Sequence, residues 1–277
     1  MLERPALPRL LRHTPGTTEG LAQNAAHRFA AQHALVHYLS GAVFTFIPKN
    51  ACTSLRLSLA KANGMIADPA DWAWVHQNNQ TFAATLPELA RASCTAVILR
   101  CPLARLASTF LDKIVSRDRE FWTLQRLVRD AITPDTLSFR QFVDQIGRPG
   151  IFRADIHWRP QADFLVYDQY DAVFGMAELS RFATHFEKTT GQPFMDARPF
   201  SGHATSHYAP SEGGCHADTP LIDLLLQKSQ GRLPRAVDLY DEALSAQVGR
   251  LYARDLDLHA ALIGREGLLF PQMVDAT

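Results

Sequence analysis

The densest run of chemistry-bearing residues is Phe44 to Arg56 (FTFIPKNACTSLR), where an apolar stretch stops at Pro48 and Lys49 leads into Asn50, Ala51, Cys52, Thr53 and Ser54. This reads as strand, tight loop, then helix. A helix start presents unpaired N–H groups and the positive end of the helix dipole, and small residues let the backbone approach an anion closely. Thr53 and Ser54 add hydroxyl donors, and Lys49 adds a full positive charge at the mouth of the cradle. The loop is not the glycine-rich GxxxxGK[ST] sequence, because its lysine precedes the small residues and no glycine is present. That argues against a metal-nucleotide hydrolase. The same residues also fit an ordinary strand-to-helix turn with an exposed lysine. Cys52 stands where a helix start lowers a thiol pKa, but a phosphatase-type C-x5-R pattern fails at Ser58, and packing of a small residue is the better reading.

A second segment, Val97 to Lys113 (VILRCPLARLASTFLDK), has a related layout. Arg100 closes an apolar strand, Pro102 takes a first-turn helix position where its missing N–H costs nothing, and Ser108 follows two turns on. Arg105 lies three residues before Ser108 and shares its helix face, as a structural ion-pair partner or, less favoured, a secondary ligand.

The elements that must position these residues alternate. Short apolar runs at Ala42–Ile47, Thr95–Leu99 and Ala172–Phe174 read as buried strands. Helical patterns run from Leu55 to Ala62, Pro102 to about Val115, Arg119 to Ala131, Ser138 to Ile146 and Glu178 to Thr189. The first 40 residues read as an irregular lead-in with a short helix, and Asp68 to Gln80 as a polar, Trp-bearing loop. Phe200 to Asp218 reads as a Gly/His/Ser-rich loop, and Leu221 to Leu262 as mostly helical. Strand–helix alternation predicts an α/β fold, a single domain with a central parallel sheet flanked by helices. The expected boundaries are a lead-in over 1–40, the domain over 41–262 and a tail over 263–277.

Composition narrows the function classes. The 277 residues carry 28 Lys plus Arg against 28 Asp plus Glu, and this zero balance disfavours a nucleic-acid-coating or polybasic membrane-binding protein. Four cysteines without a CxxC pair are too few for a disulfide scaffold and fit a reducing compartment. Phe29 to Pro48 has no charged residue, but its Gln, His, Ser and Gly content disfavours a spanning helix. The N-terminus lacks a signal-peptide core. A soluble, cytoplasmic protein is the expectation.

PKNACTSLR, taken with LRCPLARLAS, resembles the two phosphate-binding motifs of the sulfotransferases, most closely their carbohydrate-type, family 2-like branch. The usual second motif is Arg-acidic-Pro-x-x-Arg-x-x-Ser, and this chain departs only at Cys101. His157-Trp158 with Pro160-Gln161 resembles the HWxPQ turn of that branch, and Tyr170 to Leu179 (YDAVFGMAEL) its strand–helix junction. The resemblance covers roughly Val43 to His259. It implies a P-loop-like fold and 3′-phosphoadenosine-5′-phosphosulfate (PAPS) as sulfuryl donor. It also implies that Pro48 to Ser54 wrap the 5′-phosphosulfate, with Lys49 at the bridging oxygen, and that Arg100 and Ser108 grip the 3′-phosphate.

Sulfuryl transfer builds charge on the leaving oxygen, which a cation and backbone donors stabilise without a metal. The acceptor hydroxyl, expected on a carbohydrate or glycoconjugate, needs a base titrating near neutrality, which suits histidine. His76, in DWAWVHQNNQ, is the expected base, with Trp72 and Trp74 available to stack on a sugar face; a loop histidine without such a role fits too. His157 is the rival base, although the HW turn more often packs structurally. His203, His207, Cys215, His216 and Asp218 lie in a Gly/Pro-rich segment ill suited to zinc; the resemblance makes it a closing loop, with Thr205 and Ser206 as polar contacts. The leucine and aromatic pattern at Leu221–Leu226 and Leu239–Leu262 suits core or a homodimer face. Two other readings remain: a PAP(S)-binding protein without catalysis, and a nucleotide-dependent phosphoryl transferase, which needs a strand-end carboxylate that does not follow Leu99.

Overall fold

The computed structural model describes residues 8–14, 20–78, 80–201 and 207–272. In chain order the elements are α1 (Ala25–Ala31), β1 (Ala34–His37), β2 (Ala42–Thr45), α2 (Cys52–Ala62), α3 (Trp74–Gln77), α4 (Leu86–Ala90), β3 (Thr95–Leu99), α5 (Pro102–Thr109), α6 (Arg119–Val128), α7 (Phe139–Ile146), β4 (Ala172–Gly175), α8 (Leu179–Thr190), α9 (Arg198–Ser201), β5 (Ala209–Pro210), α10 (Leu221–Ser229), β6 (Arg232–Leu233), α11 (Glu242–Leu251) and α12 (Ala253–Leu262). They fall into two compact units, one drawn from Met1–Leu99 and Gln161–Gly202, the other from Arg100–Pro160 and His203–Thr277. His203 of the weighed metal-ligand group and Thr205 and Ser206, the expected polar contacts of the closing loop, lie outside the described residues, as does the end of the expected tail.

The first unit holds the four-stranded sheet, in order β1-β2-β3-β4. β2, β3 and β4 run parallel, pairing Thr45 with Val97 and Leu99 with Gly175, whereas β1 is antiparallel to β2 with His37 opposite Ala42. The fold is thus mixed α/β with a mostly parallel sheet. Every residue of β2 and β3 is buried, as expected of strands covered on both faces. Alternation along the pleat sends Phe44, Ala96, Ile98 and Phe174 to one face, against Leu55 and Leu59 of α2 and Phe182 and Phe186 of α8. Val36 and Val43 face the other layer, with Leu11, Ala30, Leu89 and Tyr167. Parallel pairing places the C-terminal ends of β2, β3 and β4 along one sheet edge, the edge where α/β proteins hold ligands.

The YDAVFGMAEL segment proves to be a set of ties within this unit. The Tyr170 hydroxyl lies 2.8 Å from Thr45 Oγ1 and accepts from the Val166 N–H; burial pushes it up to about 12. Asp171 accepts from the Thr95 backbone at 2.7 Å and pairs with Arg9 at 2.7 Å. Glu178 accepts from the Gly175 N–H, closing the start of the following helix.

Two expectations need correction. The lead-in contains a strand, β1, joined to β2 by a turn in which Gly41 takes φ 70°. Within the expected loop, residues 68–77 form helical turns: Asp68 caps a 3-10 turn over Pro69–Ala73, accepting from the Ala70 N–H, and α3 follows.

The second unit is helical around one apolar cluster that includes Leu106, Phe110, Phe121, Phe139, Phe142, Trp158, Leu224, Leu244 and Val248. α5 runs into a π-helical turn over Phe110–Ile114. The leucine pattern of the C-terminal third is largely this core, although Leu226 and Leu262 stay exposed. Among the described residues no helix is long and apolar enough to cross a membrane.

Candidate functional site

The chain leaves β2 at Thr45, buries Phe46, Ile47 and Pro48, and turns sharply into α2. The turn places two non-glycine residues in the left-handed region, Lys49 at φ 70° and Ala51 at φ 54°. Each costs about 1–2 kcal/mol for a residue with a Cβ, so the surrounding contacts must hold the loop in this shape. Asn50, 2% exposed, is the main clamp. Its N–H donates to the Ile47 carbonyl at 3.1 Å, and its Nδ2 donates to the Ile98 carbonyl at 2.9 Å and to Gln161 Oε1 at 2.6 Å. The loop is thereby tied to the end of β3 and to the last residue of the HWxPQ turn.

The start of α2 carries no side-chain cap and no acidic residue in its first turn. A helix start without a cap presents amide donors and a positive dipole end to whatever anion approaches. Lys49, Ala51, Cys52 and Thr53 are half-buried around it. Ser54 is turned elsewhere: its Oγ accepts from the Ala197 N–H at 3.0 Å, as Ser58 Oγ does from Met195. Arg56, 7% exposed, lies over the Phe46 ring at 5.3 Å, and burial pulls its guanidinium below the usual arginine range. Cys52 and the other cysteines are free thiols.

Two predictions arise from this geometry. Ala51→Gly removes the left-handed penalty and is expected to stabilise the chain by about 0.5–1 kcal/mol, read as a higher denaturant midpoint; a lower midpoint contradicts the assigned backbone. Asn50→Ala strips partners from two buried acceptors and is expected to cost about 2–3 kcal/mol, whereas an exposed loop asparagine leaves the midpoint unchanged.

In the second unit, Arg100 directly follows the last residue of β3 and is half-buried. Desolvation is the main influence on its guanidinium and, with repulsion from Arg105, outweighs the attraction of Cys101, bringing it down to about 10. An anion beside it reverses that penalty. Ser108 is 9% exposed on α5, and among the described residues its hydroxyl has no hydrogen-bond partner. Arg105 is structural: 1% exposed, it donates from Nη1 to the Arg159 carbonyl at 2.8 Å and from Nη2 to the Ile156 carbonyl at 2.9 Å.

The two histidines differ. His76 is exposed on α3, edge-on to the Trp72 ring at 5.5 Å. Trp72 and Trp74 are half-buried against the core of the first unit, which leaves part of each ring open. His157 is bound into its turn, with Nδ1 2.8 Å from Asp155 Oδ1 and its carbonyl accepting from Thr109 Oγ1 at 3.0 Å. Trp158 beside it is fully buried and donates to the Ile151 carbonyl. In the Phe200–Asp218 segment, Asp218 receives a bidentate Arg140 contact at 2.8 Å and His216 Nδ1 meets Thr219 Oγ1. Among the described residues these side chains form no convergent metal-ligand group.

Sequence reasoning missed Gln161 as a support of the cradle and Arg56 as a buried charge one turn behind it. The HWxPQ and PKNACTSLR patterns contained both residues, but only the folded chain brings position 161 to position 50.

No curated protein and no solved structure matches the chain significantly. A family model described as "Sulfotransferase family" matches residues 32–191, more than half of the chain, including the uncapped α2 start, β3, Arg100 and the HWxPQ turn. On that match the chain belongs to the sulfotransferase family, of the family 2 type, and is a transferase whose reaction class is sulfuryl transfer.

Proposed function

We propose that the protein transfers the sulfuryl group of PAPS to a hydroxyl of a carbohydrate or glycoconjugate. The observation that carries this reading is the α2 start: an uncapped helix, free of acidic residues, entered through a strained loop that carries Lys49. Strain held in place by buried hydrogen bonds is a mark of a preorganised binding loop. In this reading the amides of residues 52–54 and the Thr53 hydroxyl receive the phosphosulfate, and Lys49 offsets charge on the leaving oxygen. The Ser54 hydroxyl, engaged with Ala197, contributes through its backbone N–H. Arg100 and the Ser108 hydroxyl, without a hydrogen-bond partner among the described residues, receive the 3′-phosphate. Parallel pairing supports the assignment, because the loop follows the C-terminal end of β2 and Arg100 that of β3.

The donor supplies the electrophilic sulfur, and the protein's task is to bind, orient and move one proton. His76 takes the acceptor proton in this reading, being the exposed imidazole beside an aromatic surface suited to a sugar ring. His157 is less suited, because Asp155 and Thr109 already fix it. The test follows sulfate from labelled PAPS onto a panel of polysaccharides, glycolipids and small alcohols, with His76→Ala in parallel. The expected result is transfer by the wild type, and a variant that still binds adenosine 3′,5′-bisphosphate but transfers at least 100-fold more slowly. A variant as fast as the wild type removes His76 from the mechanism. Nucleotide binding without transfer by the wild type favours a protein that holds PAPS without catalysis.

A further inference from the structure

Within the second unit, Glu120, Asp155 and His157 are the one set of convergent metal-ligating side chains among the described residues, with ligand atoms all within 4.8 Å of one another. His157 Nδ1 lies 2.8 Å from Asp155 Oδ1 and 3.6 Å from Glu120 Oε1. An ion bonded at about 2.1 Å to such atoms sets neighbouring ligands about 3.0–3.5 Å apart, a range these two distances bracket.

Glu120 supplies an independent reason to expect a ligand. Its side chain is 8% exposed, and among the described residues its carboxylate accepts no hydrogen bond. The ring nitrogen nearest Glu120 is His157 Nδ1 at 3.6 Å, which is already bonded to Asp155. Lys113 also feels its charge, but that ammonium is held by Asp118 at 3.0 Å and Asp112 at 3.5 Å. A buried carboxylate without a donor is costly, and coordination to an ion removes that cost.

The donor set is also held rigidly. Glu120 sits in the first turn of α6. The His157 N–H donates to Asp155 Oδ1 at 2.8 Å, and Thr109 and Arg105 of α5 fasten the turn through the carbonyls of His157, Ile156 and Arg159.

We propose that Glu120, Asp155 and His157 bind one first-row divalent ion, Zn²⁺ or Mn²⁺, with the remaining coordination positions taken by water. One imidazole nitrogen and two carboxylate oxygens form a donor set that suits these ions better than Mg²⁺ or Ca²⁺. The ion replaces the Nδ1 proton shared with Asp155, and that proton leaves to solvent.

The experiment measures ion uptake and not turnover, so its outcome is separate from that of the sulfuryl-transfer reading. The full chain, stripped with chelator, is titrated with ZnCl₂ and with MnCl₂ by calorimetry and scanned for melting with and without each ion. One ion per chain and a raised melting temperature are expected for the wild type. Glu120→Gln, close in shape and folded by circular dichroism, is expected to bind at least tenfold more weakly, and Glu120→Gln combined with His157→Gln to lose both uptake and the melting shift. A wild type that takes up neither ion at one per chain overturns the proposal without any variant. Uptake unchanged in the double variant also overturns it, placing the ion elsewhere.

Discussion

Lys49→Ala lowers the rate of sulfuryl transfer by about 10²–10³-fold while weakening product-nucleotide binding much less. The expectation rests on where charge develops. In the bound donor the bridging oxygen carries little extra charge; as the sulfuryl group departs, that oxygen becomes a phosphate oxygen, and a preorganised cation counts most at that moment. Lys49 suits this because its backbone is locked at φ 70° by a loop that Asn50 anchors on both sides, so little reorganisation is needed. The measurement is kcat against KM for PAPS in wild type and variant. Equal loss in binding and turnover identifies Lys49 as a general anchor, and an unchanged kcat removes it from the chemistry. Lys49→Arg separates charge from shape, since a guanidinium keeps the charge but not the compact point donor.

Arg100→Ala has its largest effect on affinity. A half-buried guanidinium brought down to about 10, chiefly by desolvation with repulsion from Arg105, gains more from an incoming phosphate than an exposed arginine does. Loss of one charge-assisted contact of about 2–3 kcal/mol predicts binding of adenosine 3′,5′-bisphosphate weakened about 30–150-fold. Binding of adenosine 5′-phosphosulfate, which lacks the 3′-phosphate, is expected to change little. If the variant loses affinity for both nucleotides equally, Arg100 does not read the 3′-phosphate. Ser108→Ala tests the same clamp more gently, at about tenfold.

Part of this architecture was legible in the sequence because it is local. Thr95–Leu99 is a strand with the expected bounds, since an apolar run flanked by Cys94 and Arg100 has nowhere else to be buried. The end of α2 was readable from Asn63-Gly64, where Gly64 takes φ 73°. β1 was not, because Ala34–His37 is a strand by virtue of its antiparallel partner β2, a tertiary pairing that Ala and His do not advertise. The helical turns at 69–77 are hidden in the sequence although Asp68-Pro69 carries both a cap and a first-turn proline, because the polar Asn and Gln residues beyond read as loop. The left-handed pair at Lys49 and Ala51 has no glycine to mark it, and the clamp on Asn50 comes partly from Gln161, 111 residues away. Motif spacing pointed to the loop, but only the fold shows what keeps it in its strained shape.

The α2 start is expected to be a nucleotide site, and calorimetric titration of the full chain with adenosine 3′,5′-bisphosphate tests that most directly. One nucleotide per chain is predicted, bound in the micromolar range or tighter, with affinity reduced by Arg100→Ala and by Asp replacement of Thr53, which puts a negative charge at the uncapped helix start. No heat and no competition with PAPS at millimolar nucleotide, or binding indifferent to both substitutions, contradicts it.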